Sequence, residues 1–199
     1  LIKRQHKFAN IIVRYNESLQ TKLVKPLTNF EELEKKYFKI VTSNDFASLI
    51  ELFKKHKDIY VIGNGGLHYV ASHMATDISR LVPDKYCHSF DSFGFITSSA
   101  NDFGFDSIFK RWIETCVNPN SPSLILGMSC SGKSKNIINA FNYVENLGWD
   151  TFMIAGRPTD LKYPKITIDA YHYHTVEAIC LMLFYEIIHA LGHECPALD

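Results

Sequence analysis

Residues 127–134 read Gly-Met-Ser-Cys-Ser-Gly-Lys-Ser, which fits the pattern G-x-x-x-x-G-K-S. Loops of this kind cradle phosphate. Glycines permit the tight turn, backbone N–H groups point at the anion, the lysine reaches the outer phosphates and the last serine holds Mg²⁺. Locally the surroundings agree. SLILG (123–127) reads as a buried strand, and KNIINAFNYVENLG (135–148) reads as a helix stopped by Gly148. Globally they do not. Little chain follows Ser134 to complete a nucleotide-binding sheet, and no base-recognition motif is present. Asp169, at the end of the apolar run 165–169, is a candidate Mg²⁺ ligand, but apolar runs ending in Asp are common by chance. A second chemistry needs no metal. Ser129, Ser131 and Ser134 set three hydroxyls around one turn at a helix N-terminus, where free N–H groups and the positive end of the helix dipole favour a monophosphate. A small-residue turn with no ligand is the plain structural alternative, and Lys133 faces either phosphate or solvent.

Elements that would position this loop alternate along the chain. Apolar spacing predicts helices over 2–22 and 28–40, separated at Pro26. Ser43-Asn44 offers an N-cap to DFASLIELFKKHK. DIYVIGNGG is a short apolar run ending in a glycine turn, and LHYVASHMATDISRL resumes helical spacing. YCHSF (86–90) is a weaker strand candidate. SFGFITSSANDFGFDSIFKRWIETC reads as two short helices joined at Asn101-Asp102. DTFMIAG and KITIDA (165–170) read as further strands, and TVEAICLMLFYEIIHALGH closes the chain as an apolar helix. Such alternation predicts an α/β fold, a doubly wound parallel sheet covered on both faces. Ligands on these sheets bind at the C-terminal strand ends. The organisation expected is an N-terminal helical arm over 1–57 and a single α/β unit over 58–199.

Composition narrows the function classes. The 199 residues are 46% hydrophobic and 21% charged, enough for a full core. Lys+Arg and Asp+Glu both number 21, so there is no basic excess of the kind nucleic-acid binders carry. The five cysteines, Cys87, Cys116, Cys130, Cys180 and Cys195, are odd in number and form no C-x-x-C pair. That argues for a reducing cytosol and against a disulfide framework. No apolar run is long enough for a membrane span. The opening residues LIKRQHKFANIIVRYNESL read as an amphipathic helix rather than a signal peptide.

Three motifs in order, GNGG after one strand (63–66), NDFGF (101–105) and S-x-S-G-x-S after a second strand (129–134), resemble the sugar isomerase (SIS) domain, and within it the phosphoheptose isomerases. The resemblance runs from about Asp58 to about Ala190. It implies an SIS-type α/β/α sandwich, a homotetramer in the cytoplasm with active sites between subunits, and a role in heptose biosynthesis: conversion of sedoheptulose 7-phosphate to an aldoheptose 7-phosphate. It also implies a sugar-phosphate ligand, with no nucleotide, nucleic acid or membrane.

Carried over residue by residue, the resemblance assigns sugar contacts to Asn64, Gly65 and Gly66, with Leu67 where a serine is usual. Asn101 and Asp102 would meet sugar hydroxyls. Ser129, Cys130, Ser131 and Ser134 would hold the phosphate, with Cys130 in place of a common threonine. His68, directly after the glycine turn, would line the pocket. Each has a plain structural alternative: a positive-φ turn for Gly65-Gly66 and a helix cap for Asn101-Asp102.

Catalysis in the resembled family rests on a Glu base, a His acid/base and Zn²⁺ held by a His and that Glu at i, i+4 on one helix and by Gln and His on the last. Here His73 and Asp77 stand four apart and share a helix face. Asp77 becomes the expected base and, with His73, the expected metal pair, one CH₂ shorter than Glu. On the last helix Val176 and Phe184 occupy the Gln and His positions, and neither side chain binds zinc. The expected zinc site is therefore half erased. His172, His174, Glu177 and His189 are the residues near enough in sequence to substitute. Two readings follow: an isomerase with a rebuilt site, or a catalytically inactive SIS domain that binds a sugar phosphate and acts through protein partners.

Overall fold

The computed structural model describes residues 29–118 and 121–197. The helix expected over 2–22 lies outside the described residues. Within the described residues, 31–118 and 121–197 belong to one compact unit.

The elements in chain order are α1 (Phe30–Val41), α2 (Asn44–Lys55), β1 (Asp58–Gly63), α3 (Gly66–Leu81), β2 (Tyr86–Ser89), α4 (Phe93–Phe103), α5 (Ile108–Cys116), β3 (Leu124–Ser129), α6 (Lys135–Glu145), β4 (Asp150–Ala155), β5 (Lys165–Thr167) and α7 (Tyr173–Ala190). The strands form one sheet in the order β2-β1-β3-β4-β5, and every pairing is parallel. The central strands β1, β3 and β4 are buried almost throughout. A parallel sheet covered on both faces demands this, and it is why these strands read as continuous apolar runs.

Successive strand residues point to opposite faces, so each strand feeds two cores. One face gathers Ile59, Val61, Leu124 and Leu126 against α2, α3 and α7, with Phe53, Ile78 and Phe184 fully buried there. The other gathers Tyr60, Ile62, Ile125 and Met153 against α5 and α6. On this second face Tyr60 stands 5.7 Å from Trp112 and 5.2 Å from Trp149, ring centre to ring centre, and both tryptophans are buried.

Local chemistry fixes the element ends. Ser43 caps α2 as the sequence predicts, accepting from the Phe46 N–H at 3.1 Å. The C-terminal end of α2 is tied to the start of β4: Lys55 Nζ and His56 Nε2 reach Asp150 Oδ2 at 2.6 and 2.7 Å. Burial alone would raise the Asp150 carboxyl, but these two partners outweigh it and hold it below its ordinary range. The joint expected at Asn101-Asp102 is displaced. Helix α4 runs on to Phe103, and the chain breaks at Gly104. Asn101 and Asp102 bond to each other instead of capping a new helix.

Candidate functional site

Strand order reverses between β1 and β3, because the chain runs from β1 out to β2 and returns to the other side of β1. The loops after those two strands therefore diverge and leave a crevice at the switch point. A cleft of about 470 Å³ lies there. The turn Asn64–Leu67 forms one wall, the loop Met128–Ser134 the second, and Tyr173 and Glu177 of α7 the third. A larger groove, about 720 Å³, runs along the edge strand β2 between α3 and α5 and includes Arg80, His88 and Trp112. It contains none of the hydroxyl loop, so size does not identify the site; the chemistry of the smaller cleft does.

The hydroxyl loop is assembled as the sequence suggests. Ser129 Oγ lies 2.8 Å from Ser134 Oγ and 3.4 Å from Ser131 Oγ. Ser129 is 2% exposed, and its carbonyl accepts from the Gly132 and Gly156 N–H groups, which closes the turn. Ser134 is the N-cap of α6, yet its hydroxyl makes no capping bond. Three hydroxyls and a helix N-terminus thus converge on the cleft, a ready anion cradle. Lys133 is exposed and outside the lining, so the lysine a triphosphatase loop needs is turned away. Asp169, the candidate Mg²⁺ ligand, pairs instead with Arg157 at 3.1 Å.

On the opposite wall, Gly65 adopts φ 60°, a backbone region that favours glycine. Gly66 begins α3, and a Cβ there would overlap the Glu177 carboxylate. Asn64 is locked by a reciprocal amide pair with Asn136, at 2.8 and 3.1 Å. Asn136, buried on α6, also accepts from the Ile137 N–H at 3.0 Å. This pair ties the two walls together. No pattern in the sequence marks Asn136, which is an ordinary polar residue on an amphipathic helix until the fold sets it opposite Asn64.

Cys130 faces the same space. Burial first, and then the Glu177 carboxylate, push its thiol up to about 11, so it is a neutral thiol near pH 7.

Other expected residues stand apart from this cleft. His68 lies on the far side of the glycine turn, 3.3 Å from Asp91, and borders a small cavity with Tyr69 and Phe105. Asn101 and Asp102 are exposed in the last turn of α4 and line no part of the cleft. Asp77 is buried eleven residues beyond Gly66, about 16 Å along α3 at 1.5 Å per residue. There it accepts from Tyr185 Oη and Arg80 Nη2, both at 3.0 Å. His73 Nε2 meets the same Tyr185 hydroxyl at 3.0 Å. Burial, then the bond to Asp77, raises the Tyr185 phenol.

The zinc set implied by the resemblance does not fit the side chains present. Val176 and Phe184 are 1% and 0% exposed, packed in the core with no donor atom to offer. Among the described residues no group of three or more His, Cys, Asp or Glu is arranged to hold a metal.

Comparison with known proteins agrees with the motif resemblance. No family model matches the chain. A phosphoheptose isomerase of Pelobacter propionicus is 33% identical over 117 residues, which are 56% of this chain and 60% of that one. The chain thus spans about three-fifths of that relative's length. A phosphoheptose isomerase structure from Neisseria gonorrhoeae superposes with a TM-score of 0.64 at 17% identity, covering 92% of this chain and 97% of that one. The Vibrio vulnificus NanR protein complexed with ManNAc-6P gives a TM-score of 0.57 at 16% identity, covering 81% and 59%.

Proposed function

We propose that this chain, an SIS-type α/β domain similar to the phosphoheptose isomerases, is a sugar-phosphate aldose–ketose isomerase of the class that interconverts sedoheptulose 7-phosphate and a heptose 7-phosphate, with an altered metal and catalytic site. The observation that carries the reading is the cluster of Ser129, Ser131 and Ser134 at the N-terminus of α6, facing the Asn64–Gly66 turn across the switch-point cleft. The hydroxyls and the helix N-terminus hold the phosphate, and the sugar chain extends toward the glycine turn. Isomerisation then needs a group that takes a proton from the carbon beside the carbonyl and returns it one carbon away. His73 and Asp77 stand off the cleft of their own chain, so they would serve catalysis only on a ligand held by a neighbouring subunit, as in the expected cytosolic homotetramer.

The test is proton exchange. Sedoheptulose 7-phosphate incubated with the protein in D₂O should gain deuterium beside the carbonyl, read by NMR, with and without added Zn²⁺. Absence of exchange with every ketose phosphate tried would refute the isomerase reading. The second reading, a sugar-phosphate binder acting through protein partners, is favoured by the apolar Val176 and Phe184 buried where the resemblance calls for Gln and His. Binding shifts without deuterium entry would select it.

A further inference from the structure

Glu177 carries the carboxylate among the residues that line the switch-point cleft. It stands in the second turn of α7 and is half-buried. Its carboxylate lies against Gly66, so closely that any side chain at residue 66 would collide with it. Across the cleft it acts on the Cys130 thiol in the hydroxyl loop. It makes no hydrogen bond and no ion pair among the described residues. Three aspartates described above are already paired. Asp77 is held by Tyr185 and Arg80, Asp91 by Ser72, Ser89 and His68, and Asp169 by Arg157. A carboxylate facing a phosphate cradle with no partner of its own is placed to meet the ligand.

Resting on the isomerase reading above, we propose that Glu177 is the catalytic carboxylate of the cleft, the group that moves the proton between the two carbons of the bound sugar phosphate. In the ketose-to-aldose direction its carboxylate takes a proton from C1. The C–H electron pair becomes the C1–C2 double bond, and the C2 carbonyl oxygen takes a proton from solvent water to give the enediol. The O1 proton then leaves to solvent, which restores the proton taken from water and re-forms a carbonyl at C1, and Glu177 returns its proton to C2. C2 is reduced as C1 is oxidised, so the step needs no outside oxidant or reductant. The glycine at residue 66 is what lets the carboxylate close on the turn where the sugar lies. Cys130, neutral at working pH, adds no competing charge beside it.

The test uses the full chain with sedoheptulose 7-phosphate in D₂O, comparing the unaltered protein, Glu177→Gln and Asp77→Asn, with inorganic phosphate binding measured in parallel. Glu177→Gln should slow deuterium entry by about 10²–10⁴-fold, the range a positioned general base supplies, and leave phosphate affinity within about threefold. Exchange by Glu177→Gln within tenfold of the unaltered rate overturns the proposal. So does abolition by Asp77→Asn while Glu177→Gln retains exchange, which would make Asp77 the base. If the unaltered chain binds the sugar phosphate but exchanges nothing, the isomerase reading and this proposal fall together, a result distinct from the other two. If Glu177→Gln loses phosphate binding through misfolding, Glu177→Asp replaces it. Drawing the carboxylate back by about 1.5 Å should cost roughly 10²-fold in exchange, and full retention of the rate overturns the proposal.

Discussion

At the scale of single residues, the cleft is defined by what its side chains do with their hydrogen bonds. Ser129 is nearly inaccessible and spends its hydroxyl on Ser131 and Ser134, so a bound phosphate would meet a hydroxyl set already in place. Ser129→Ala should weaken inorganic phosphate binding roughly tenfold or more, since a hydrogen bond to a charged acceptor is worth about 1.5–3 kcal/mol; titration calorimetry reads this. Cys130 makes a second prediction. Its thiol, raised to about 11, should alkylate slowly with iodoacetamide near pH 7 and faster as the pH climbs toward 11. In a chain carrying Cys116→Ser and Cys195→Ser, which removes the two exposed thiols, a fast reaction at neutral pH would contradict the buried environment. The serines were legible in the sequence because a phosphate loop is a local pattern: strand, turn, helix. Asn136 and the closeness of Glu177 to Gly66 were not, because each depends on two segments far apart in the chain meeting at one point.

At the scale of elements, the two walls of the cleft are separate strand–turn–helix units joined by the Asn64–Asn136 amide pair. Asn136→Ala removes both bonds and leaves the Asn64 amide short of partners. It should destabilise the fold by about 1–3 kcal/mol, seen as a lowered denaturant midpoint, and loosen the cradle as well. Gly66→Ala tests the third wall. Alanine is the better helix former by about 1 kcal/mol, yet here its Cβ meets the Glu177 carboxylate. The expected result is no gain in thermal midpoint and a loss of exchange activity; a stabilised, fully active variant would show that Glu177 moves aside freely. The central strands were legible because burial on both faces forces unbroken apolar sequence. The joint at Gly104 was misplaced because Asn101-Asp102 has the composition of a cap, and only the mutual bond of those two side chains shows that they do not act as one.

For the whole molecule, stability is divided between two cores separated by the sheet, with the ion pairs at the N-terminal end of β4 adding a pH dependence. Asp150 has a depressed folded value. Its contribution is therefore full above its ordinary value of 3.8 and is lost as the pH falls through the lower folded value. Comparing the unaltered chain with Asp150→Asn by denaturant unfolding, the variant should be less stable at pH 7, and the gap should close in strong acid. Phe184, fully buried at the position where the resemblance calls for a zinc-binding histidine, is a core residue in this fold. Phe184→Ala should cost about 3–5 kcal/mol, whatever metal is supplied.

The placement of the two tryptophans has a practical optical consequence. Trp112 and Trp149 flank Tyr60 on the face of the sheet carrying α5 and α6, and neither borders the cleft that holds the serines. Tryptophan emission is thus a reporter of unfolding that stays dark to occupation of the phosphate cradle. Trp112 does border the groove beside β2. A sugar phosphate that changes the emission without unfolding the chain would be announcing that it has entered that groove.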